Sequence, residues 1–246
     1  VRLRNRHARA YNNGAAYRFE TSRDDSVTVE TERATFDLTD SGATGTPTFY
    51  WARNEDSVIT HSESIYQPPL PTDSIGGRMS TLPVLATYDD GPRVAITEAN
   101  LRDYAGMFAV GHHAARDGDA RLRGTFPEVA LDVAMQGGDE RNTYPTERAD
   151  YIARTAGSRA FPWRIVIVEE SDADLLENQM VYKLGPDREI DDPDWIDPGK
   201  VAWDWYNALN LHGVDFETGV NTRTYKHYID FAAEYGLDYI ILDEGW

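Results

Sequence analysis

The sequence predicts an all-β sandwich followed by a strand–helix–strand unit of the kind that builds (β/α)8 barrels. Many short β-rich runs alternate with turn-rich stretches before about residue 180. Around Leu184-Gly185-Pro186 the character of the chain changes, and a single strand–helix–strand pattern follows Lys200. Short strands with frequent turns favour a sandwich over an α/β fold, whereas the later pattern favours two parallel strands with a right-handed crossover.

The first part of the chain is predicted to be β-rich over most of its length. Four runs combine β-branched residues with strand-like length, at residues 27–30, 35–38, 94–97 and 164–168. Turn chemistry is strongest at residues 40–42, 89–92 and 136–139. An acidic connector with two Asp-Pro steps occupies residues 187–198. These features predict a first domain over residues 1–186 and a second region over residues 187–246.

A helix is predicted between two strands in the last forty-five residues. Asn221 or Thr222 is suited to cap its start, and Gly236 follows its end, where a left-handed residue is favoured. Its apolar face is predicted to comprise Tyr225, Tyr228, Ile229 and Ala232. The flanking strands are predicted at residues 201–205 and 239–242. The second is unbroken apolar, which is typical of a parallel strand buried on both faces.

Acidic and aromatic residues gather where these two strands end. The first strand ends in Trp203, Asp204 and Trp205, and the second runs into Asp243, Glu244 and Trp246. In (β/α)8 barrels the carboxyl ends of the strands carry the active site. Carboxylates accept hydrogen bonds from sugar hydroxyl groups, and an indole face packs on the C–H surface of a sugar. Taken singly, the tryptophans favour a core position and the acids are equally compatible with a helix cap, so both alternatives stay open.

Composition excludes several functional classes. The formal net charge of −18 argues against nucleic acid or an anionic membrane as a partner, and no apolar run reaches membrane-spanning length. The chain has no cysteine, which excludes disulfides, thiol catalysis and thiolate metal sites. Acidic residues number 42 and basic residues 24, of which only Lys183, Lys200 and Lys226 are lysines. This balance predicts a halophilic surface that is most stable in high salt.

Five segments, taken in order, resemble glycoside hydrolase family 97, the calcium-dependent α-glucosidases and α-galactosidases found largely in bacteria. The segments span residues 10–19, 82–84, 95–107, 161–164 and 195–200, the last running on to 243–246. The chain departs from the family pattern at Ala105, where the family has proline, and at Tyr206, where it usually has tryptophan. Because the chain begins at Val1 and stops at the mouth of a predicted strand, the resemblance is expected to cover a truncated piece of a longer enzyme.

The resemblance implies an N-terminal β-super-sandwich followed by the first two strands of a catalytic (β/α)8 TIM barrel. It places the catalytic carboxylates further along the barrel, so no catalytic residue is assigned within this chain. It also implies Ca²⁺ as cofactor, with Glu98 as the one calcium ligand that the sandwich supplies, which suits a hard cation. From the residues alone, Glu98 is instead interpreted as a capping acid for a helix over residues 99–104.

The predicted function is therefore hydrolysis of terminal α-glycosidic bonds in oligosaccharides, with α-glucosidase placed ahead of α-galactosidase. The predicted substrate-binding residues are Trp203, Asp204, Trp205, Asp243 and Glu244. Asp243 and Glu244 are not predicted to be the catalytic pair, because neighbouring side chains at a strand end diverge. A periplasmic or secreted location is implied by the family, and the chain by itself is expected to be inactive. The alternatives are a non-catalytic carbohydrate-binding β-sandwich and a purely structural sandwich.

Overall fold

The computed structural model describes residues 6–39, 45–52, 57–59, 66, 68–112, 120–135 and 143–243. Two of the predicted turns, at residues 40–42 and 136–139, lie outside this part of the chain, as do Glu244 and Trp246. The chain divides into two compact units, Val1–Asp187 and Arg188–Trp246, called here the first and the second unit.

The first unit consists almost entirely of strands in its described part. The first eight strands are β1 (Arg6–Tyr11), β2 (Gly14–Thr21), β3 (Val27–Val29), β4 (Thr35–Asp37), β5 (Thr48–Tyr50), β6 (Leu70–Pro71), β7 (Met79–Ser80) and β8 (Val84–Thr87). The next eight are β9 (Arg93–Ala99), β10 (Phe108–Gly111), β11 (Arg121–Thr125), β12 (Ala130–Met135), β13 (Thr143–Arg148), β14 (Ala153–Thr155), β15 (Arg159–Ala160) and β16 (Trp163–Glu169). A 3₁₀ turn (Thr72–Ser74) and two short helices, α1 (Asp172–Glu177) and α2 (Met180–Leu184), complete it. The prediction of a β-rich first part is confirmed.

Two antiparallel sheets enclose the main core of the first unit. The larger has the order β1-β2-β16-β9-β8-β5-β6, with β15 also paired to β2, and the smaller has the order β4-β11-β10-β7. Side chains from both sheets form one buried cluster, which includes Phe36, Phe49, Ile96 and Leu122. Because side chains alternate along a strand, each sheet turns one apolar face inward. The pairs β12–β13 and β3–β14 form small separate ribbons.

The outer face of the larger sheet is partly covered by α2. Trp163, Ile165 and Ile167 alternate with the inward-facing residues of β16, and they pack against Met180 and Leu184. This leaves β16 and β9 at the centre of the sheet, joined in register from Trp163↔Ala99 to Glu169↔Arg93. Val166 of β16 and Val94 and Ile96 of β9 therefore face the core between the two sheets.

The second unit contains the predicted strand–helix–strand pattern. The strand β17 (Val201–Trp203) is followed by a 3₁₀ turn (Asp204–Asn207), the helix α3 (Thr222–Tyr235) and the strand β18 (Tyr239–Ile241). Asn221 caps α3 by accepting a hydrogen bond from the backbone of Thr224, and Gly236 ends it in the left-handed conformation. The strands pair in parallel, from Val201↔Tyr239 to Trp203↔Ile241.

Three details of the second unit differ from the sequence prediction. The first strand ends at Trp203 rather than at residue 205, because the chain turns into the 3₁₀ segment. Ile229 is 49% exposed, and the buried positions of α3 are Thr224, Tyr228 and Ala232. β18 is not buried on both faces: α3 covers Ala202 and Ile240, whereas Val201, Trp203, Tyr239 and Ile241 on the opposite face stay partly exposed. A pair of strands with one helix has only one covered face.

Within the described residues, no helix is long and apolar enough to cross a membrane.

Candidate functional site

The carboxyl ends of β17 and β18 lie side by side, as parallel pairing requires. The backbone ladder ends at Trp203↔Ile241, so Asp204 follows one residue and Asp243 two residues beyond the last paired positions. Two side-chain contacts continue the link between the strands past this point. The structure thus brings together Trp203, Asp204 and Asp243, three of the predicted substrate-binding residues.

Asp204 is buried, with only 1% of its surface exposed. The backbone N–H of Asp243 donates to both of its carboxylate oxygens, at 3.2 Å from Oδ1 and 3.3 Å from Oδ2. The hydroxyl of Tyr225 on α3 also hydrogen-bonds this carboxylate. Both bonds lie inside the second unit, so the carboxylate of Asp204 is directed towards the protein rather than towards solvent.

Trp203 and Trp205 are accessible at the same end of the strands. Trp203 is 39% exposed, and its indole Nε1–H donates to Oδ1 of Asp243 at 3.1 Å. Trp205 is 51% exposed on the 3₁₀ turn. An indole face beside a hydrogen-bonded carboxylate combines an apolar surface with an acceptor for hydroxyl groups. Glu244, the fifth predicted residue, lies outside the described residues.

Two tyrosines of α3 form hydrogen bonds with side chains of the 3₁₀ turn. The hydroxyl of Tyr228 donates to Oδ1 of Asn207 at 2.6 Å. Burial, followed by the hydrogen bond and the charge of Asp204, raises the pKa of Tyr225, and burial likewise raises the pKa of Tyr228. Both phenols therefore stay protonated at neutral pH and act as hydrogen-bond donors.

Glu98, the predicted calcium ligand, lies within β9 of the first unit. Residues 100–107 form no helix, so the interpretation of Glu98 as a helix-capping acid is wrong. Alternation along β9 places Glu98 on the same inward face as Val94 and Ile96, and its side chain is 14% exposed. Its carboxylate accepts a hydrogen bond from the backbone N–H of Met107, at 3.1 Å from Oε1.

Arg164 ties Glu98 to a second buried carboxylate. Arg164 is the cross-strand partner of Glu98 in the β16–β9 register, and its Nη1 donates to Oε2 of Glu98. Its Nε and Nη2 donate to the two oxygens of Glu32, at 2.7 and 2.8 Å. The side chains of Arg164 and Glu32 are 1% and 5% exposed. We call Glu32, Glu98 and Arg164 the buried charge cluster, and the ring of Phe126 stacks against its guanidinium.

The cluster carries one negative charge in excess, because it holds two carboxylates and one guanidinium. Burial raises the pKa of Glu98, although Arg164 and the Met107 N–H act in the opposite direction. Burial by itself lowers the pKa of Arg164, and the bonds and charges of Glu32 and Glu98 outweigh it, so the net pKa is raised and the guanidinium stays charged. Burial and the charge of Glu32 raise the pKa of Tyr104, which borders the cluster.

Glu98 is chemically suited to be one ligand of a calcium ion, but it could supply only part of the coordination shell. Its carboxylate is a hard oxygen donor with some exposure, and the excess negative charge beside it favours a cation. Calcium takes about six to eight oxygen ligands, however. Among the residues that the structure describes, no three acidic or histidine side chains converge on one point. Any calcium bound to Glu98 would need most of its ligands from other residues.

Sequence reasoning missed the partners of Glu98. Arg164 belongs to a family-like segment, but its pairing with Glu98 follows from the β16–β9 register, which no local pattern in the sequence indicates. Glu32 is 132 residues from Arg164 in the chain, and no local pattern marks it as a buried acid.

Two family models match the chain. The model described as "Glycosyl-hydrolase 97 N-terminal" matches residues 4–186, and the model described as "Glycoside hydrolase 97" matches residues 203–246. The first covers nearly all of the first unit, and the second covers the strand–helix–strand pattern from Trp203 onward.

Two curated relatives are similar in sequence. A protein named retaining alpha-galactosidase, from Bacteroides thetaiotaomicron, is 37% identical over 242 residues, which is 97% of this chain and 36% of that protein. A probable retaining alpha-galactosidase from Streptomyces bingchenggensis is 31% identical over 104 residues, 42% of this chain and 15% of that protein. The chain thus spans about a third of the length of the first relative.

Solved structures of a Glycoside Hydrolase Family 97 enzyme from Pseudoalteromonas sp. have a similar fold. The complexes of that enzyme with acarbose and with panose both superpose with a TM-score of 0.68 at 19% identity, over 96% of this chain and 32% of that one. At this level of identity the likeness concerns the fold alone.

Proposed function

This chain belongs to glycoside hydrolase family 97, and on that premise we propose that it is part of an enzyme that hydrolyses terminal α-glycosidic bonds, with α-galactosides as the first candidate substrates. The observation that carries the proposal is the exposed Trp203 indole hydrogen-bonded to the Asp243 carboxylate at the carboxyl ends of two parallel strands. A sugar is the ligand class that such a pair fits best.

The choice of α-galactoside over α-glucoside rests on the relatives. Both sequence relatives are named retaining or probable retaining alpha-galactosidases, and one of them aligns with 97% of this chain. This reverses the order expected from the resemblance, which put α-glucosidase first. The α-glucosidase remains the second candidate, because family 97 as described above includes both activities.

The second unit is proposed to be the start of a (β/α)8 barrel. Its pairing supports this, because a parallel ladder with a helix on one face is the repeating element of such barrels. The face opposite α3 carries Val201, Trp203, Tyr239 and Ile241, which are apolar or aromatic as barrel interiors require. The site would then lie at the carboxyl ends of the barrel strands, which is the end that carries the active site in such barrels.

Within this chain the proposed chemistry is recognition rather than bond cleavage. Asp243 would accept a hydrogen bond from a sugar hydroxyl, while Trp203 packs on the sugar and Trp205 extends the apolar surface. Hydrolysis by a retaining mechanism needs two carboxylates about 5 Å apart on either side of the scissile bond. Asp204 is buried, with its carboxylate bound to the backbone N–H of Asp243, so it is not free to act on a substrate, and we assign no catalytic residue here.

Glu98 is proposed to donate one oxygen to a Ca²⁺ ion. The excess negative charge of the buried charge cluster supports this, since a nearby cation would balance it. A bound calcium would supply positive charge that stabilises negative charge developing at the reacting centre. Arg164 and the Met107 N–H would fix the orientation of the Glu98 carboxylate towards such an ion.

Hydrolysis assays on the protein expressed from the complete reading frame that contains this chain test the proposal. We expect turnover of p-nitrophenyl α-galactoside that exceeds turnover of the α-glucoside and the two β-anomers, with retention of configuration by NMR. Dialysis against a chelator should lower the rate, and Ca²⁺ should restore it better than Mg²⁺. Culture fractionation checks the proposed periplasmic or secreted location.

The controls separate the parts of the proposal. Asp243→Asn and Trp203→Ala should raise KM, whereas Asp230→Asn on the exposed face of α3 should leave it unchanged. Preference for α-glucoside would support the second candidate. Absence of any glycosidase activity, combined with galactose affinity that survives deletion of residues 188–246, would overturn the proposal in favour of a carbohydrate-binding sandwich.

A further inference from the structure

The contact between β17 and β18 continues beyond the point where backbone pairing stops. The last paired residues are Trp203 and Ile241, and Asp243 lies two residues further on. At that point its backbone N–H has no partner in the ladder. The Asp204 carboxylate supplies one, at 3.2 and 3.3 Å, so a side chain takes over the role of the neighbouring strand.

Burial makes Asp204 unsuitable as a direct ligand of the sugar. Only 1% of its surface is exposed, and its two oxygens are engaged by the Asp243 N–H and the Tyr225 hydroxyl. A buried carboxylate costs free energy unless hydrogen bonds offset its lost hydration. These two bonds provide that compensation, and a sugar hydroxyl could reach the carboxylate only by breaking them.

The side chain of Asp243 is held independently of its backbone. The Trp203 indole donates to Oδ1 of Asp243 at 3.1 Å. The indole does not contact Oδ2, so this second oxygen is the one proposed to accept a sugar hydroxyl. Asp243 is therefore held at two points, at its N–H by Asp204 and at its carboxylate by Trp203. Two fixed points restrict the rotation of a side chain that follows the end of a strand.

From these contacts we propose that Asp204 is a positioning residue: it fixes the backbone of Asp243 so that the Trp203 indole and the Asp243 carboxylate meet the sugar in one orientation. This inference rests on the proposed function for its sugar, and it changes the predicted role of Asp204 from binding substrate to organising the residues that do. Tyr225 completes the arrangement by holding the Asp204 carboxylate from α3.

The test compares Asp204→Asn with Asp204→Ala. Asparagine retains a side-chain oxygen that accepts the Asp243 N–H, whereas alanine removes it. Asp230→Ala is the matched control, because it removes an exposed carboxylate from the same unit. Hydrogen exchange of the Asp243 amide and the Trp203 indole N–H is followed by NMR, with the indole signal assigned by Trp203→Phe. Steady-state kinetics are measured on the protein from the complete reading frame.

We expect Asp204→Ala to accelerate exchange of both N–H groups by about tenfold and to raise KM by a similar factor, as befits the loss of one buried hydrogen bond. In Asp204→Asn, both the exchange rates and KM should stay close to their wild-type values. A raised KM with unchanged exchange in Asp204→Ala would identify Asp204 as a direct sugar ligand and overturn the proposal. Equal acceleration of exchange in the Asn and Ala variants would also overturn it, because it would show that the retained acceptor oxygen does not hold Asp243. If the wild-type protein hydrolyses no glycoside, the proposed function fails, and the exchange results alone still decide whether Asp204 holds Asp243.

Discussion

Arg164 shares its buried site with two carboxylates and stabilises both. Its guanidinium binds Glu32 through two parallel hydrogen bonds and reaches Glu98 with its remaining nitrogen. Such forked bonding is specific to arginine, because a lysine ammonium cannot contact three carboxylate oxygens in one plane. The residues of the family-like segment Phe161-Pro162-Trp163-Arg164 therefore have structural roles. Phe161 and Trp163 are core residues, and Arg164 neutralises buried acids.

Replacing Arg164 is expected to destabilise the first unit severely. Arg164→Met leaves two carboxylates without their cation in the core, which should cost about 3–5 kcal/mol in the free energy of unfolding. Arg123→Met, at an exposed position of β11, should change it by less than about 0.5 kcal/mol. Urea denaturation measures both.

Adding Glu32→Gln and Glu98→Gln to Arg164→Met tests whether the unpaired carboxylates cause the loss of stability. The triple variant should be more stable than Arg164→Met alone, because it buries no unpaired charge. A loss of less than about 1 kcal/mol in Arg164→Met would contradict the assignment of Arg164 as the neutralising group.

The pKa of Glu98 makes a directional prediction for pH. Because burial raises this pKa in the folded protein above the ordinary value of 4.5, folding favours the protonated form. Between the two pKa values the folded state binds more protons than the unfolded state, so the contribution of Glu98 to stability falls as pH rises. The unfolding free energy of the wild type minus that of Glu98→Gln should decrease as pH increases through and above 4.5. A difference that increases with pH would mean that Arg164 and Met107 dominate over burial.

At the scale of single residues, the sequence led to Glu98 but not to its surroundings. The position was recognised through a family-like segment, whereas the burial of Glu98 follows from strand alternation and from long-range pairing with β16. Asp204 was recognised as part of the strand-end site, but its burial was not. The side chain of Asp204 points inward because a 3₁₀ turn begins at this residue, and local sequence propensity does not predict such a turn.

At the scale of elements, the β1–β2 hairpin depends on one glycine. Asn12 and Asn13 form its two-residue turn, and Gly14 follows with a φ of +152°. The turn is fastened to the end of β16, where Glu169 accepts hydrogen bonds from the side chains of Asn13 and Asn178. A Cβ on Gly14 would lie 2.6 Å from Sδ of Met180 and closer still to the carbonyl oxygen of Val166.

Gly14→Ala is therefore expected to combine backbone strain with a steric clash. The two effects together should lower the free energy of unfolding by about 2–5 kcal/mol. Gly45→Ala is the matched control in the same unit: its φ is +78°, but no heavy atom lies within 4 Å of an added Cβ. It should cost about 1 kcal/mol from strain alone. Equal losses in the two variants, measured by urea denaturation, would exclude the clash at Gly14.

The elements most accurately predicted were those whose ends carry their own chemistry. The start and end of α3 follow from Asn221 and Gly236, both of which act locally. The four predicted strand runs of the first unit overlap β3, β4, β9 and β16, although β3 and β4 end one residue earlier than predicted and β9 and β16 extend further. Sheet order was not predictable, because β9 and β16 are neighbours that lie some seventy residues apart, and their pairing is set by packing rather than by local propensity.

At the scale of the whole molecule, charge is the dominant feature. The chain carries 42 acidic and 24 basic residues, which give the net charge of −18. Among the described residues, ion pairs such as Arg18–Glu20, Arg93–Asp172 and Arg121–Asp37 lie at or near the surface. Such pairs contribute only about 0–1 kcal/mol each. The excess acids repel one another in the folded state, and this repulsion acts across the surface rather than at one site.

Salt is accordingly expected to stabilise this chain. The screening length falls from about 10 Å at 0.1 M ionic strength to about 3 Å at 1 M, which removes repulsion between acids that are not in contact. Weakening of the surface ion pairs opposes this, but the acids outnumber the basic residues, so screening should raise the free energy of unfolding. Urea denaturation in low and in molar sodium chloride measures the gain. A variant with Asp89, Asp90 and Asp150 replaced by asparagine removes three exposed charges, and its gain should be smaller. Equal stability of the unmodified chain at both salt concentrations would show that its acidic surface is not an adaptation to high salt.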